Sequence, residues 1–375
     1  TVNSVQLGFD GFDSNLISYI EKSEDFKGEN FVVSPVSIKL ALGLAIEGSN
    51  GETKTELLDA LGVENETTLR ELAEEMNDIS KVVDIRVEED KKYAIEVNES
   101  KFLVSNSIWK NKDKDGKLKE EYKKSVLENY YAKAEEINES CLVESVNNWV
   151  KEKTNGLIPN VVNESAKESN TILVNTIYLN DSWSDGLFDE YNTKTKKFST
   201  ISNEKVDKDF MCTQDKFSYY EDKDTKLLLT TTNTGFGVLY VLGDNSNIIE
   251  KMNKMTRNEV IVEVPKMDIE STFKNKYMVN FMQSLGVNKA FDGDLADFGN
   301  MLDLSEDVNV YIDDIVHKTK LTTDEKGIEA AAVTAILMLE ATAMIPEDKV
   351  KPKEFIANEP FSFYVFNNNY VMLYI

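Results

Sequence analysis

One histidine, two cysteines and six prolines are spread through 375 residues, and the basic residues fall well short of the acidic ones, 42 against 67. Each scarcity removes a class of chemistry. His317 is the lone histidine, so any Ser/His/Asp or Cys/His machinery has to pass through it. It lies in "VYIDDIVHKTKL", which alternates like a strand and suits a satisfied core histidine better than a catalytic one. Cys141 and Cys212 are too few for a disulfide framework and have no metal-ligand spacing. HExxH, P-loop and Rossmann glycine patterns are missing, so no metal or cofactor is expected. A net charge of -25 repels polyanions and anionic membranes, which argues against nucleic acid as a partner. No apolar run is long enough to span a bilayer. An enzyme is not expected. The chain opens "TVNSVQLGFDGF", without an initiator Met or apolar leader, and this reads as a processed start.

What is present is a pattern of helices first and strands later. "FDSNLISYIEKSED" has helical spacing, and "FVVSPVSIKLALGLAIEG" reads as a short strand and then a helix. Ser34 is placed to cap that helix, with Pro35 at its first position and Gly48 at its end. "GETKTELLDALG" and "ETTLRELAEEMNDISKVV" give two more helices, "KLKEEYKKSVLENYYAKA" another, and "VESVNNWVKEKTNG" a further one. Strands are expected in "KFLVSNSIW", in "NTILVNTIYLN" and repeatedly between 196 and 243. "EVIVEVPKMDIESTF" and "VNVYIDDIVHKTKLTTDEKG" read as single strands around the helix "FKNKYMVNFMQSLG". "EPFSFYVFNNNYVMLYI" reads as a closing hairpin. The class is α+β, without internal repeats or a linker.

Four segments in this order resemble the serpin family: "NFVVSPVSIKLALGLAIEGSNGETKTELLDALG", "LVNTIYLNDSW", "VHKTKLTTDEKGIEAAAVTA" and "NEPFSFYVF". The resemblance runs from about Phe9 to Ile375. It implies one serpin domain over 1–375: three β-sheets, eight or nine helices and an exposed reactive-centre loop at about 326–352. It further implies a serine protease inhibitor that is consumed as a suicide substrate. The loop is cut, then enters the large sheet as a new strand, carrying the acylated protease with it. Such a protein is extracellular or on the cell surface, and monomeric, although loop insertion between molecules can polymerise it. The sequence stops at Ile375, before the Gly with which the family's last strand usually continues.

The resemblance assigns roles residue by residue. The hinge is Glu325, Lys326, Gly327, Ile328, Glu329, Ala330, Ala331 and Ala332, with Ile328 where the family usually has Thr or Ser. Gly327 supplies pliability and the alanines are small enough to slip between strands. Every second residue from Ile328 to Met338 is uncharged and suited to a core face, whereas Glu329 on the other face is expected to stay in water. Ser34, Ser37, Asn175 and His317 match the shutter beneath the centre of the large sheet, where polar side chains exchange partners as strands part. Trp183, Lys266 and Glu325 match the breach at the top of that sheet, with the ion pair expected to be exposed and worth about 0–1 kcal/mol.

The family's spacing puts the reactive bond at Ala341–Thr342. A longer run than usual up to Pro360 leaves Ala343 and Met344 as fallbacks. With no Arg or Lys between Lys326 and Lys349, an elastase-like or subtilisin-like protease is the expected target. A non-inhibitory serpin acting as carrier, chaperone or store is the alternative.

Overall fold

The structure is a computed structural model that describes residues 11–93, 100–329, 351–367 and 370–374. The N-terminal third is helical: α1 (Gly11–Lys22), α2 (Pro35–Gly48), α3 (Gly51–Leu61) and α4 (Thr67–Tyr93). Ser34 caps α2, its hydroxyl accepting the Ser37 N–H at 3.3 Å, and Pro35 occupies the first turn. Thirteen of the fourteen α2 residues are buried, so α2 is a core helix enclosed on every side. Gly43 permits this enclosure, because a Cβ there would come within 2.8 Å of the Tyr130 ring.

Next come β1 (Lys101–Asn111), β2 (Lys117–Leu118), α5 (Glu120–Tyr130), β3 (Lys133–Ile137), α6 (Glu139–Lys153) and β4 (Thr171–Ser182). The helix expected over 117–134 is therefore shorter, with a strand on each side. Tyr131 takes a left-handed φ of 54° and closes α5, freeing the chain to run out along β1. Four strands follow: β5 (Lys194–Ser199), β6 (Lys205–Glu221), β7 (Thr225–Thr231) and β8 (Gly237–Gly243). Beyond them lie α7 (Ile248–Asn253), β9 (Thr256–Pro265), β10 (Met267–Phe273), α8 (Tyr277–Ser284) and β11 (Leu302–Asp303). The last strands are β12 (His317–Thr323), β13 (Gly327–Ile328), β14 (Lys353–Ile356), β15 (Phe361–Asn367) and β16 (Tyr370–Tyr374).

Two expected strands are revised. The stretch 259–273 is two strands in different sheets, because Pro265 cannot donate to a continuing ladder. The stretch 308–316 is irregular, and only 317 onward pairs.

The strands form a six-stranded sheet in the order β10-β12-β13-β4-β1-β3, a two-stranded ribbon β11-β2, and an eight-stranded sheet. The eight-stranded sheet runs β14-β9-β6-β7-β8-β15-β16, with β5 on β6. The described residues hold eight α-helices. A single large core joins α2, the inner face of the six-stranded sheet and the eight-stranded sheet. A smaller core, centred on Trp109, Trp149 and Val174, fixes α6 to the outer face of the six-stranded sheet.

Candidate functional site: the upper end and centre of the six-stranded sheet

β12 and β4 run in the same direction but do not pair with each other among the described residues; β13 alone links them. The chain leaves β12 at Thr323 and reverses in a tight turn. There the Asp324 N–H donates to the Gly327 carbonyl at 3.0 Å, and the Asp324 carboxylate accepts the Lys326 and Gly327 N–H groups. It then re-enters the sheet antiparallel to both neighbours, with Ile328 opposite Thr323 on one side and Asp181 on the other. Ile328 is 1% exposed. Gly327 is required by closeness, since a Cβ there would lie 2.1 Å from the Asp181 carbonyl oxygen.

The loop expected to begin at 326 thus has its first residues already within the sheet. Ala330, Ala331 and Ala332 of the expected hinge lie outside the described residues, as do the reactive-bond candidates Ala341, Thr342, Ala343 and Met344. On the far side of that segment the chain is again secured, β14 pairing parallel to β9.

Above β13, the three residues expected at the breach meet at one turn. Lys266 Nζ lies 2.7 Å from Glu325 Oε1, and the Thr193 hydroxyl donates to the same oxygen at 2.5 Å. Glu325 is buried, 6% exposed, so the expectation of an exposed pair is corrected: only the lysine end meets water. Burial pushes the Glu325 carboxyl up, but the bonds from Lys266 and Thr193 outweigh it and hold it below the usual range. Trp183 is 2% exposed; its Nε1–H donates to the Asp324 carbonyl at 2.7 Å and its N–H to that of Lys326 at 3.1 Å. Its ring meets Phe188 edge-on at 5.5 Å between centroids.

Asp181 is a member of this site that sequence reasoning missed. Its carboxylate is 1% exposed and accepts from Ser100 Oγ (2.9 Å), Ser182 N (3.0 Å), Thr234 N (3.1 Å) and Thr234 Oγ1 (2.5 Å). Four donors satisfy a buried charge and tie β4 to the segment before β1 and to the β7–β8 turn. The only local hint was an Asp at a core-facing position of an apolar strand.

Lower down, the expected shutter residues fall into two groups. His317 Nε2 accepts the Ser34 N–H at 3.0 Å and is 2.8 Å from the Thr319 hydroxyl, joining β12 to the start of α2. Because a backbone N–H can only donate, this nitrogen carries the lone pair. Burial holds the imidazole down at about 4, so it is neutral at neutral pH. Ser37 joins the group through the Ser34 cap. Asn175 stands apart: its amide donates to Asn106 Oδ1 at 2.8 Å and to the Ser105 carbonyl at 3.4 Å, holding β4 to β1. Asn175 Oδ1 and the neighbouring Thr176 Oγ1 are buried without a hydrogen-bond partner among the described residues.

Glu329, expected in water, is half-buried on the outer face of the sheet. Burial pushes its carboxyl up to about 7, against the opposing effects of Tyr178 and Lys320.

The six-stranded sheet thus holds, between β12 and β4, a short segment that the chain turns back into it. A family model described as serpin (serine protease inhibitor) matches residues 10–375, and the chain belongs to that family. Serpins are in general inhibitors of serine proteases and not enzymes. An uncharacterized serpin-like protein of Thermococcus kodakarensis is 27% identical over 360 residues, covering 90% of this chain and 77% of its own. The leukocyte elastase inhibitor of Xenopus tropicalis is 26% identical over 365 residues, covering 90% and 89%. The native-state crystal structure of the thermophilic serpin Tengpin matches with a TM-score of 0.74 and 25% identity, covering 99% of this chain and 92% of that one.

Proposed function

We propose that this serpin inhibits serine proteases by irreversible suicide-substrate trapping. A protease serine Oγ attacks the Ala341 carbonyl carbon, the bond to Thr342 nitrogen breaks, and Thr342 leaves as a new amino terminus. The loop remains joined to the enzyme through the Ala341 ester. It then continues the path that Gly327–Ile328 begins, down between β12 and β4, and the protease is carried along before water can hydrolyse the ester.

The observation that carries this reading is the seating of β13 between two strands with no other bridge between them among the described residues. A whole strand entering that opening would gain a ladder of backbone hydrogen bonds on both edges. Small residues at the reactive bond, and the relative named leukocyte elastase inhibitor, support elastase-like or subtilisin-like targets. The remaining parts of the proposal are an extracellular or surface location, a monomer able to polymerise by loop exchange, and Trp183, Lys266 and Glu325 as the gate for strand entry.

The test is incubation with pancreatic elastase and with subtilisin. A complex that survives SDS, a fragment starting at Thr342 that separates in the detergent, and a melting temperature that rises on cleavage are expected. Clean cleavage with no complex and an unchanged melting temperature would overturn the reading and favour a carrier or storage role.

A further inference from the structure

Glu329 combines three features that local sequence gives no reason for. Its φ of +44° lies in the left-handed region that a Glu avoids. Its Oε1 receives the Tyr178 hydroxyl at 3.3 Å, and its Oε2 is buried with no hydrogen-bond partner among the described residues. Its N–H donates to the Thr322 carbonyl at 2.9 Å, so the sheet holds it at the end of the described segment. Tyr178 is itself fixed from behind, accepting from Asn155 Nδ2 at 3.3 Å in the turn that follows α6.

Among the described residues, few groups face Glu329. β4 presents the Tyr178 phenol, and β12 presents Lys320, whose ammonium is drawn to Asp268 of β10 at 3.7 Å. The turn after α6 presents Asn155, which is neutral. One long hydrogen bond and one shared lysine leave an ionised carboxylate under-solvated, whereas a neutral carboxyl sits there at little cost.

We propose that Glu329 and Tyr178 form a proton-operated latch on strand entry: with Glu329 neutral, Gly327–Ile328 stays seated between β12 and β4, and with Glu329 ionised it is released. The carboxyl titrates near 7 when seated and in the ordinary range near 4.5 when free in water. The seated state therefore binds the extra proton between those limits. Seating strengthens as pH falls through 7 and is complete below 4.5; it weakens as pH rises. From pH 8.5 to 5.5 the seated-to-released ratio gains about thirty-fold by this linkage. The idea deepens the inhibitory reading and takes its biological meaning from it, since the latch would set how readily the loop starts inserting.

Hydrogen exchange of the intact chain, corrected at each pH for intrinsic rates, tests it without any protease. Protection of the Ile328 and Glu329 amides should rise about thirty-fold between pH 8.5 and 5.5. Amides of β8 and β15 serve as the reference for global stability. Glu329→Gln, fixed in the neutral state, should be protected at every pH with no slope. Tyr178→Phe removes the hydroxyl that donates to the carboxylate, so its rise should begin at higher pH. A flat wild-type profile, an unchanged slope in Glu329→Gln, or an unmoved midpoint in Tyr178→Phe would each overturn the latch. A sloped profile without any SDS-stable protease complex would sink the inhibitory reading and leave the latch standing. The reverse pair of results would do the opposite.

Discussion

The two large sheets solve the burial problem in opposite ways. In the eight-stranded sheet the ladders are filled by apolar side chains: Val238, Leu239, Tyr240, Val241, Phe363 and Val365 are all fully buried. In the six-stranded sheet the strands beside β13 carry Asn175, Thr176, His317 and Thr319, and two of these have an atom unpartnered among the described residues. Apolar packing is strong and hard to exchange, whereas polar contacts give little net stability and swap partners readily. The difference separates a frame held by apolar packing from a face that, on the proposed mechanism, has to open.

The contrast can be broken most forcefully in the frame. Phe363→Ala, in the middle of β15 and 4.8 Å edge-on to Tyr240, should cost about 3–5 kcal/mol in urea unfolding. Acid acts next, and on the opening face. His317 is held at about 4 in the fold against an ordinary 6.5, so the unfolded chain takes up the proton first. The stability it supports is whole above 6.5 and drains away as pH falls through 4, amounting to about 3 kcal/mol. His317→Gln should flatten that part of a stability-versus-pH curve, and an unaltered curve would place the acid sensitivity elsewhere.

A smaller effect is expected at the breach. Glu325→Gln should lower stability by about 1–2 kcal/mol, because the lysine end of the pair is screened by water. Glu325→Lys, which sets two cations side by side, should yield ladders of polymer on native gels after mild heating. A monomer band alone would count against the role of the pair. Least of all, Ile328→Thr should cost about 1 kcal/mol in thermal melts, from apolar area lost in the seat.

Much of the frame was legible because each part of it is local. The Ser34 cap, Pro35 and Gly48 bound α2, and the alternation after His317 gives β12. The family motifs brought Glu325, Lys266 and Trp183 together on paper, and the turn at 324–327 does so in space. What escaped is non-local. Glu329 looked like a solvent residue until Tyr178, 151 positions away, covered it. Asp181 gave no sign that Ser100 and Thr234 would supply its donors. The irregular run at 308–316 alternates as β12 does, yet it pairs with no strand among the described residues, and pairing makes a strand as much as pattern does.

One feature of the frame governs what a cut would leave behind. The segment before 330 ends between β12 and β4, while the segment from Lys353 onward supplies β14, β15 and β16 to the other sheet, with Phe355, Phe363, Tyr364 and Tyr374 interred there. A nick anywhere between them severs the polypeptide but not the particle. The short carboxy-terminal piece stays gripped, co-elutes at the size of the whole in mild buffer, and comes loose only when detergent or urea dissolves the grip.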